Sequence, residues 1–128
     1  MRASGVLLPV SSLPSAYGIG CFSKEAYDFV DRLKKAGQSY LHILPLGPTG
    51  YGDSPYQSFS TFAGNPYFID PEDLIERGYI TKQKCGSFDF GDNAEYVDYA
   101  RIYESRFLLL REAWKNSKIA NEPAFRIF

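Results

Sequence analysis

The chain is poor in the side chains that build metal centres. Among its 128 residues it has one histidine, His42, and two cysteines, Cys21 and Cys85. Neither cysteine stands at metal-ligand spacing from another ligand, so no metal is expected. The two thiols read as free in a reducing cytosol, with one disulfide left open, and the expected location is cytoplasmic. An excess of charge of one sign is also missing: 14 basic residues face 15 acidic ones, for a net charge of −1. Without a basic block, nucleic acid is not an expected partner. No apolar run approaches the roughly 18 residues of a membrane span. The opening MRASGVLLPV carries one arginine and a short apolar run closed by a proline, with no small-residue cleavage site, so no signal peptide is expected. Repeats and low-complexity segments are absent.

Aromatics are plentiful, with ten tyrosines and ten phenylalanines, and 45% of residues are hydrophobic. That suffices for the core of one domain spanning 1–128. GVLLPV (5–10) is a continuous apolar run and predicts a strand buried on both faces. A loop rich in Ser, Pro and Gly follows. Ser23 then caps a helix over 24–36, with Ala26, Phe29, Val30, Leu33 and Ala36 on one face, Glu25 in the first turn and Gly37 as the stop. SYLHILPL (39–46) predicts a second buried strand, which completes a βαβ unit. Farther on, PYFID (66–70) reads as a short extended piece. Asp70 and Pro71 start a helix that ends near Gly78, and 86–93 is loop. A longer helix is expected from about 95 to 115, with Ile102, Phe107, Leu109, Leu110 and Ala113 making its apolar face. So small a parallel sheet leaves its edges open, so the chain reads as the opening portion of a larger α/β fold.

Between the second strand and PYFID lies GPTGYGDSPYQSFS and its continuation, residues 47–65, without periodicity. A loop this long, leaving the carboxyl end of a strand, marks a functional site in α/β folds. Gly47 to Ser54 reads G-x-x-x-x-G-D-S, one residue from a phosphate loop. Asp53 replaces the required lysine and would repel an anion, Pro55 offers no N–H, and no helix follows. The ligand is therefore expected to be neutral. Tyr51 and Tyr56 flank Asp53 and Ser54. Aromatic faces beside hydroxyl and carboxylate groups suit a sugar, whose C–H faces stack and whose hydroxyls hydrogen-bond. Asp53 itself reads as a turn residue that accepts backbone N–H bonds.

Other candidates carry less. SSLPS has no nucleophile elbow around it and reads as a turn lining the mouth of the fold. His42 reads as a strand residue with its needs satisfied. Arg101, Arg106 and Arg111, with Glu104 and Glu112, read as a solvated helix face.

Three stretches carry a family likeness: SGVLLPVSSLPSAYGIG (4–20), ILPLGPTGYGDSPYQSFSTFAGNPYFID (43–70) and VDYARIYESRFLLLREAW (97–114). Together they resemble the 4-α-glucanotransferases, also called amylomaltases or disproportionating enzymes, of glycoside hydrolase family 77. The resemblance covers nearly the whole chain but only about the N-terminal quarter of such an enzyme. It implies the N-terminal part of a (β/α)8 TIM barrel, incomplete here. It implies transfer of α-1,4-glucan segments to the 4-hydroxyl of an acceptor glucan or glucose, with retention of configuration and no cofactor. Retention calls for two carboxyl groups roughly 5–5.5 Å apart. By the same resemblance Tyr56 stacks on sugar at the cleavage subsite, Ser54 lies in the donor-site wall and Tyr51 belongs to an accessory glucan-binding groove. The family's catalytic carboxylates lie on later strands whose motifs this chain does not contain, so no catalytic residue is assigned and the chain alone is expected to be inactive. Leu41 and His42 stand where the family usually has Trp-Gln. The alternatives are a stand-alone glucan-binding module and one part of a split barrel completed by a second chain. Alone, the chain is expected to self-associate, to swap elements between copies, or to be partly ordered.

Overall fold

The computed structural model describes residues 2–127. Its centre is a strand–helix–strand unit: β1 (Gly5–Leu7), α1 (Lys24–Lys35) and β2 (Tyr40–His42). The strands are parallel, with Gly5 opposite Tyr40, Val6 opposite Leu41 and Leu7 opposite His42. The ladder runs one step further at each end, through Ser39 N–H to Ser4 O at 2.9 Å and Leu8 N–H to His42 O at 2.9 Å.

Both strands are shorter than expected and neither is buried. Only Val6 and Leu41 are half-covered, while Leu7 is 60% and Tyr40 66% exposed. The cause is topological. Each strand has one partner, so its outer edge and much of its faces meet no other part of this chain. His42 is likewise exposed on β2.

α1 begins after Ser23, which has the extended backbone of a cap but makes no capping hydrogen bond with its hydroxyl. Its end is better defined. Gly37 N–H donates to Lys34 O and Gln38 N–H to Leu33 O, both at 3.0 Å, with Gly37 at φ 75°. This is the paired closure that needs a left-handed residue past the helix end, which glycine adopts without a Cβ clash. The apolar stripe of α1 is only partly used: Ala26 is buried, and Val30 is exposed.

After the long loop, Pro66–Phe68 forms a 3-10 turn rather than an extended piece, because Asn65 Oδ1 accepts from Tyr67 N–H at 3.0 Å and Pro66 supplies the first helical φ. α2 (Pro71–Glu76) starts as expected, with Asp70 accepting from Glu72 N–H at 3.1 Å. Gly78 closes it as Gly37 closes α1. A four-residue helix, α3 (Lys82–Cys85), was not expected; Thr81 caps it. α4 (Tyr99–Asn116) opens later than its pattern suggested because Asp98 caps it, accepting from Arg101 N–H at 3.2 Å. A last short helix, α5, covers Pro123–Ile127.

Burial is divided among small clusters. Ile80, Cys85, Phe90 and Leu109 make one, Val10, Leu13 and Ala26 another, and Ile19, Tyr67 and Ile102 a third. Phe68 packs against the last two. Cys21 and Cys85 are both buried and free. Among the described residues, no helix is long and apolar enough to cross a membrane.

Candidate functional site

The loop over 47–65 folds back on itself. Thr49 and Ser58 form an isolated antiparallel bridge. Asn65 N–H donates to Leu46 O at 2.9 Å, which ties the two ends of the loop together. Gly47 sits against the Ser58 side chain and Ser60 O, so close that a Cβ would collide with the serine. Ser58 Oγ in turn donates to Ser60 O at 2.7 Å. No helix follows the Gly47–Ser54 stretch, so the geometry of a phosphate loop is absent.

Between this loop and α4 runs an open groove of about 880 Å³. One wall is loop backbone and side chains from Pro48 to Asp53, with Phe59 and 63–67. The opposite wall is the α4 face carrying Tyr99, Tyr103 and Phe107. Those three follow one another at i, i+4 and i+8, so one helix face presents all of them. Their rings form a continuous aromatic surface. The Tyr103 and Phe107 centroids are 5.3 Å apart and edge-to-face, Tyr67 meets Phe107 at 5.9 Å, and Tyr67 meets Tyr99 at 6.3 Å.

Of the three residues expected to bind sugar, Tyr51 lines the groove from its rim, fully exposed. Tyr56 does not line it. Its ring is 72% exposed and its N–H donates to Ser54 Oγ at 3.3 Å. Ser54 is half-buried at the turn before it and also lies outside the groove lining. The loop thus brings one tyrosine to the groove and leaves the other outside its lining. Phe59 and Phe62 are exposed beside them.

Asp53 is a turn residue in a left-handed backbone, at φ 54°, and its N–H donates to Gly50 O at 3.1 Å. No backbone N–H of the described residues donates to its carboxylate, contrary to expectation. Its charge acts instead on the phenols of Tyr67 and Tyr99, which line the same groove. Tyr67 is pushed up to about 12, first by burial and then by the Asp53 charge. Tyr99 moves up for the same two causes. Both phenols therefore stay protonated and can donate as well as accept. Among the groove's lining residues Asp53 is the one carboxylate. No group of three or more metal-ligating side chains occurs among the described residues.

The largest departure lies just behind the groove. Arg106, expected on a solvated face, is 0% exposed. Its Nη2 donates to Tyr67 O at 2.5 Å and to Ile69 O at 2.6 Å. Arg101 does lie at the surface, paired with Asp89 and Asp98 at 3.4 and 3.2 Å.

A family model described as 4-alpha-glucanotransferase matches residues 8–128. The chain belongs to the 4-alpha-glucanotransferase family. It is 57% identical over 114 residues to a 4-alpha-glucanotransferase of Streptococcus pneumoniae, covering 89% of this chain and 23% of the relative. It is 50% identical over 125 residues to that of Thermus thermophilus, covering 98% of this chain and 24% of the relative. A solved amylomaltase from Streptococcus agalactiae, in complex with acarbose, superposes with a TM-score of 0.88 at 47% identity, over 94% of this chain and 25% of its own. The chain thus spans about a quarter of the length of these 4-alpha-glucanotransferases. Sequence reasoning missed the α4 side of the groove, although the Tyr99, Tyr103, Phe107 spacing was there to read.

Proposed function

We propose that this chain is the N-terminal part of a (β/α)8-barrel 4-α-glucanotransferase, which passes α-1,4-glucan segments to the 4-hydroxyl of an acceptor glucan or glucose. Its own share of the work is holding glucan. The observation that carries this reading is the aromatic groove between the 47–65 loop and α4. Tyr51 stands at its rim, and Tyr67 and Tyr99 supply protonated hydroxyls beside the Asp53 carboxylate. A pyranose offers apolar C–H faces for the rings and hydroxyls for the polar atoms, and carries no charge that Asp53 would repel. The acarbose-bound relative supports the same ligand class. Tyr56 and Ser54, outside the groove, form a second contact surface, with the Tyr56 ring free to stack on a sugar that the rest of a barrel would position.

Chemistry is not expected from the chain alone. A retaining transfer needs a carboxylate nucleophile and an acid/base about 5–5.5 Å apart, and the groove offers Asp53 without a partner. The test is to incubate the 128-residue chain with maltotriose, following glucose release and binding together. Saturable binding without turnover is expected. Sustained glucose release would overturn the division of labour, and absence of binding at millimolar sugar would overturn the groove's role.

A further inference from the structure

Arg106 is an expensive residue to keep where it is. Its side chain is wholly enclosed, and burial lowers its pKa. No carboxylate of the described residues lies within 4.0 Å of it. Among the described residues its Nε and Nη1 find no hydrogen-bond partner. A buried cation held by two carbonyls, with the Asp70 charge acting on it only from beyond ion-pair distance, is costly to enclose. What those bonds fix is specific. Tyr67 O and Ile69 O bracket the segment that leaves the loop and enters α2. The start of that segment, Asn65 to Tyr67, lines the groove, and the α4 residues Tyr99, Tyr103 and Phe107 form the facing wall. Arg106 stands on the same helix as that facing wall. One guanidinium nitrogen, hydrogen-bonded to two carbonyls, therefore ties the backbone of one wall to α4, beside the Tyr67 ring that packs on Tyr99 and Phe107.

We propose that Arg106 is the positioning residue of the glucan groove, setting the distance between the 63–67 wall and the α4 wall through Tyr67 and Ile69. The proposal rests on reading the groove as a glucan site. It does not touch the sugar and acts only through backbone. Three consequences separate it from a purely structural arginine. Removing the side chain's donors should widen or loosen the groove before it unfolds the chain. A lysine, which places an ammonium near the same two carbonyls, should retain part of the effect. A core substitution on the same helix that leaves the clamp intact should cost stability without costing affinity.

The experiment uses the 128-residue chain with Arg106→Met, Arg106→Lys and, as the destabilised control, Leu109→Ala, whose side chain sits in the separate cluster with Ile80 and Phe90. Maltooligosaccharide affinity and site-resolved amide exchange are measured at a temperature where circular dichroism shows all variants folded. In Arg106→Met, affinity should fall by about tenfold or more, the loss expected for hydrogen bonds made by a charged group. Arg106→Lys should fall between it and the wild type, and Leu109→Ala should bind as the wild type does. Exchange should accelerate selectively in Arg106→Met at Asn65 N–H, Phe68 N–H and Phe22 N–H, the amides bonded to Leu46 O, Asn65 O and Phe68 O. Unchanged affinity in Arg106→Met, or equal losses in Arg106→Met and Leu109→Ala, would overturn the positioning role. A wild type that does not bind glucan would sink the glucan reading instead, and the exchange pattern then decides the clamp independently: selective deprotection upholds it, uniform exchange removes it. If Arg106→Met does not fold, Arg106→Lys against Leu109→Ala carries the same comparison.

Discussion

The Sγ of Cys21 lies 3.9 Å from Oδ1 of Asp70, and the thiol is completely enclosed. The carboxylate is thus shared between the thiol and the first turn of α2, where the same oxygen accepts Glu72 N–H. Burial pushes the Cys21 thiol up to about 11, against the lowering effect of the Arg106 charge and with the Asp70 charge adding to it. Asp70 is itself moved up, mainly by burial. Ionising Cys21 would place a second negative charge beside Asp70 with no solvent to screen it.

This arrangement makes the fold sensitive to alkali. A group whose pKa is raised on folding contributes its stability in full below the unfolded value and loses it as pH rises through the folded value. For Cys21 that window runs from about 9 to about 11. For Tyr67 it runs from about 10 to about 12. The urea midpoint should hold steady from pH 7 to 8.5 and then fall steeply between pH 9.5 and 11. Cys21→Ala should blunt the lower part of that fall. A midpoint flat to pH 11 would show that these groups are not burdened by burial.

The same enclosure bears on reactivity. A thiol with a raised pKa and no access presents little thiolate to an oxidant or alkylating reagent. Cys85 is also buried and raised, chiefly by burial. Both should react with a disulfide reagent at pH 8 only as fast as the chain opens, with rates that rise together in urea. Fast labelling of either thiol in the native chain would contradict its burial.

The two loop tyrosines should behave differently from ordinary exposed aromatics. Tyr51→Ala should weaken maltooligosaccharide binding by about tenfold, the loss expected when a ring no longer covers a sugar face, and Tyr56→Ala should cost less in this chain, where no further barrel holds the sugar against that ring. Tyr56→Phe should bind nearly as well as the wild type, because stacking needs the ring and not the hydroxyl. Tyr27→Ala, on α1 and also exposed, should change nothing. Isothermal titration with maltoheptaose checks all four, and equal effects in Tyr27→Ala and Tyr51→Ala would remove the loop's special role.

Open strand edges set the expected state of the chain in solution. Leu7, Tyr40 and Ile43 are exposed around β1 and β2, and Leu108 and Trp114 on α4. Exposing a large apolar side chain forgoes about 1.5–3 kcal/mol, against roughly 5–15 kcal/mol of net stability for a whole domain. Concentration-dependent association, or exchange of elements between copies, is expected in sedimentation velocity at tens of micromolar. A clean monomer with one sharp thermal transition would show that these residues close a sufficient core by themselves.

Local signals with a physical partner nearby were readable in advance. Asp70-Pro71 fixed the start of α2, and Gly37 fixed the end of α1, since both depend on neighbours in sequence. Asn65-Pro66 has the same grammar as Asp70-Pro71, yet its turn was read as extended because the apolar residues after it look strand-like. The strands lie within their expected spans but are shorter and unburied, since length and burial depend on neighbours this chain does not supply. Arg106 was misread through its spacing. Arginines five residues apart on a helix are turned about 140° from one another and cannot share a face. Arg106 follows Ile102 by four and precedes Leu109 by three, which puts it in the buried stripe with Ala113. In the site, the rim was legible from Tyr51 and Asp53, while the facing wall required knowing that α4 packs across the loop.

The pairing of Gly5 with Tyr40 has a temporal meaning. Parallel strands cannot be joined by a tight turn, and here the crossover is a connection over 8–23 with a 3-10 turn in it, one helix and a short return over 36–39. The contact spans the single unit 5–42, and the entropy of closing it grows only slowly with length. During synthesis, this pairing is available as soon as the first forty-odd residues have left the ribosome, before the groove or its clamp exists. A pairing made at that stage would set the register of the sheet before the later helices dock.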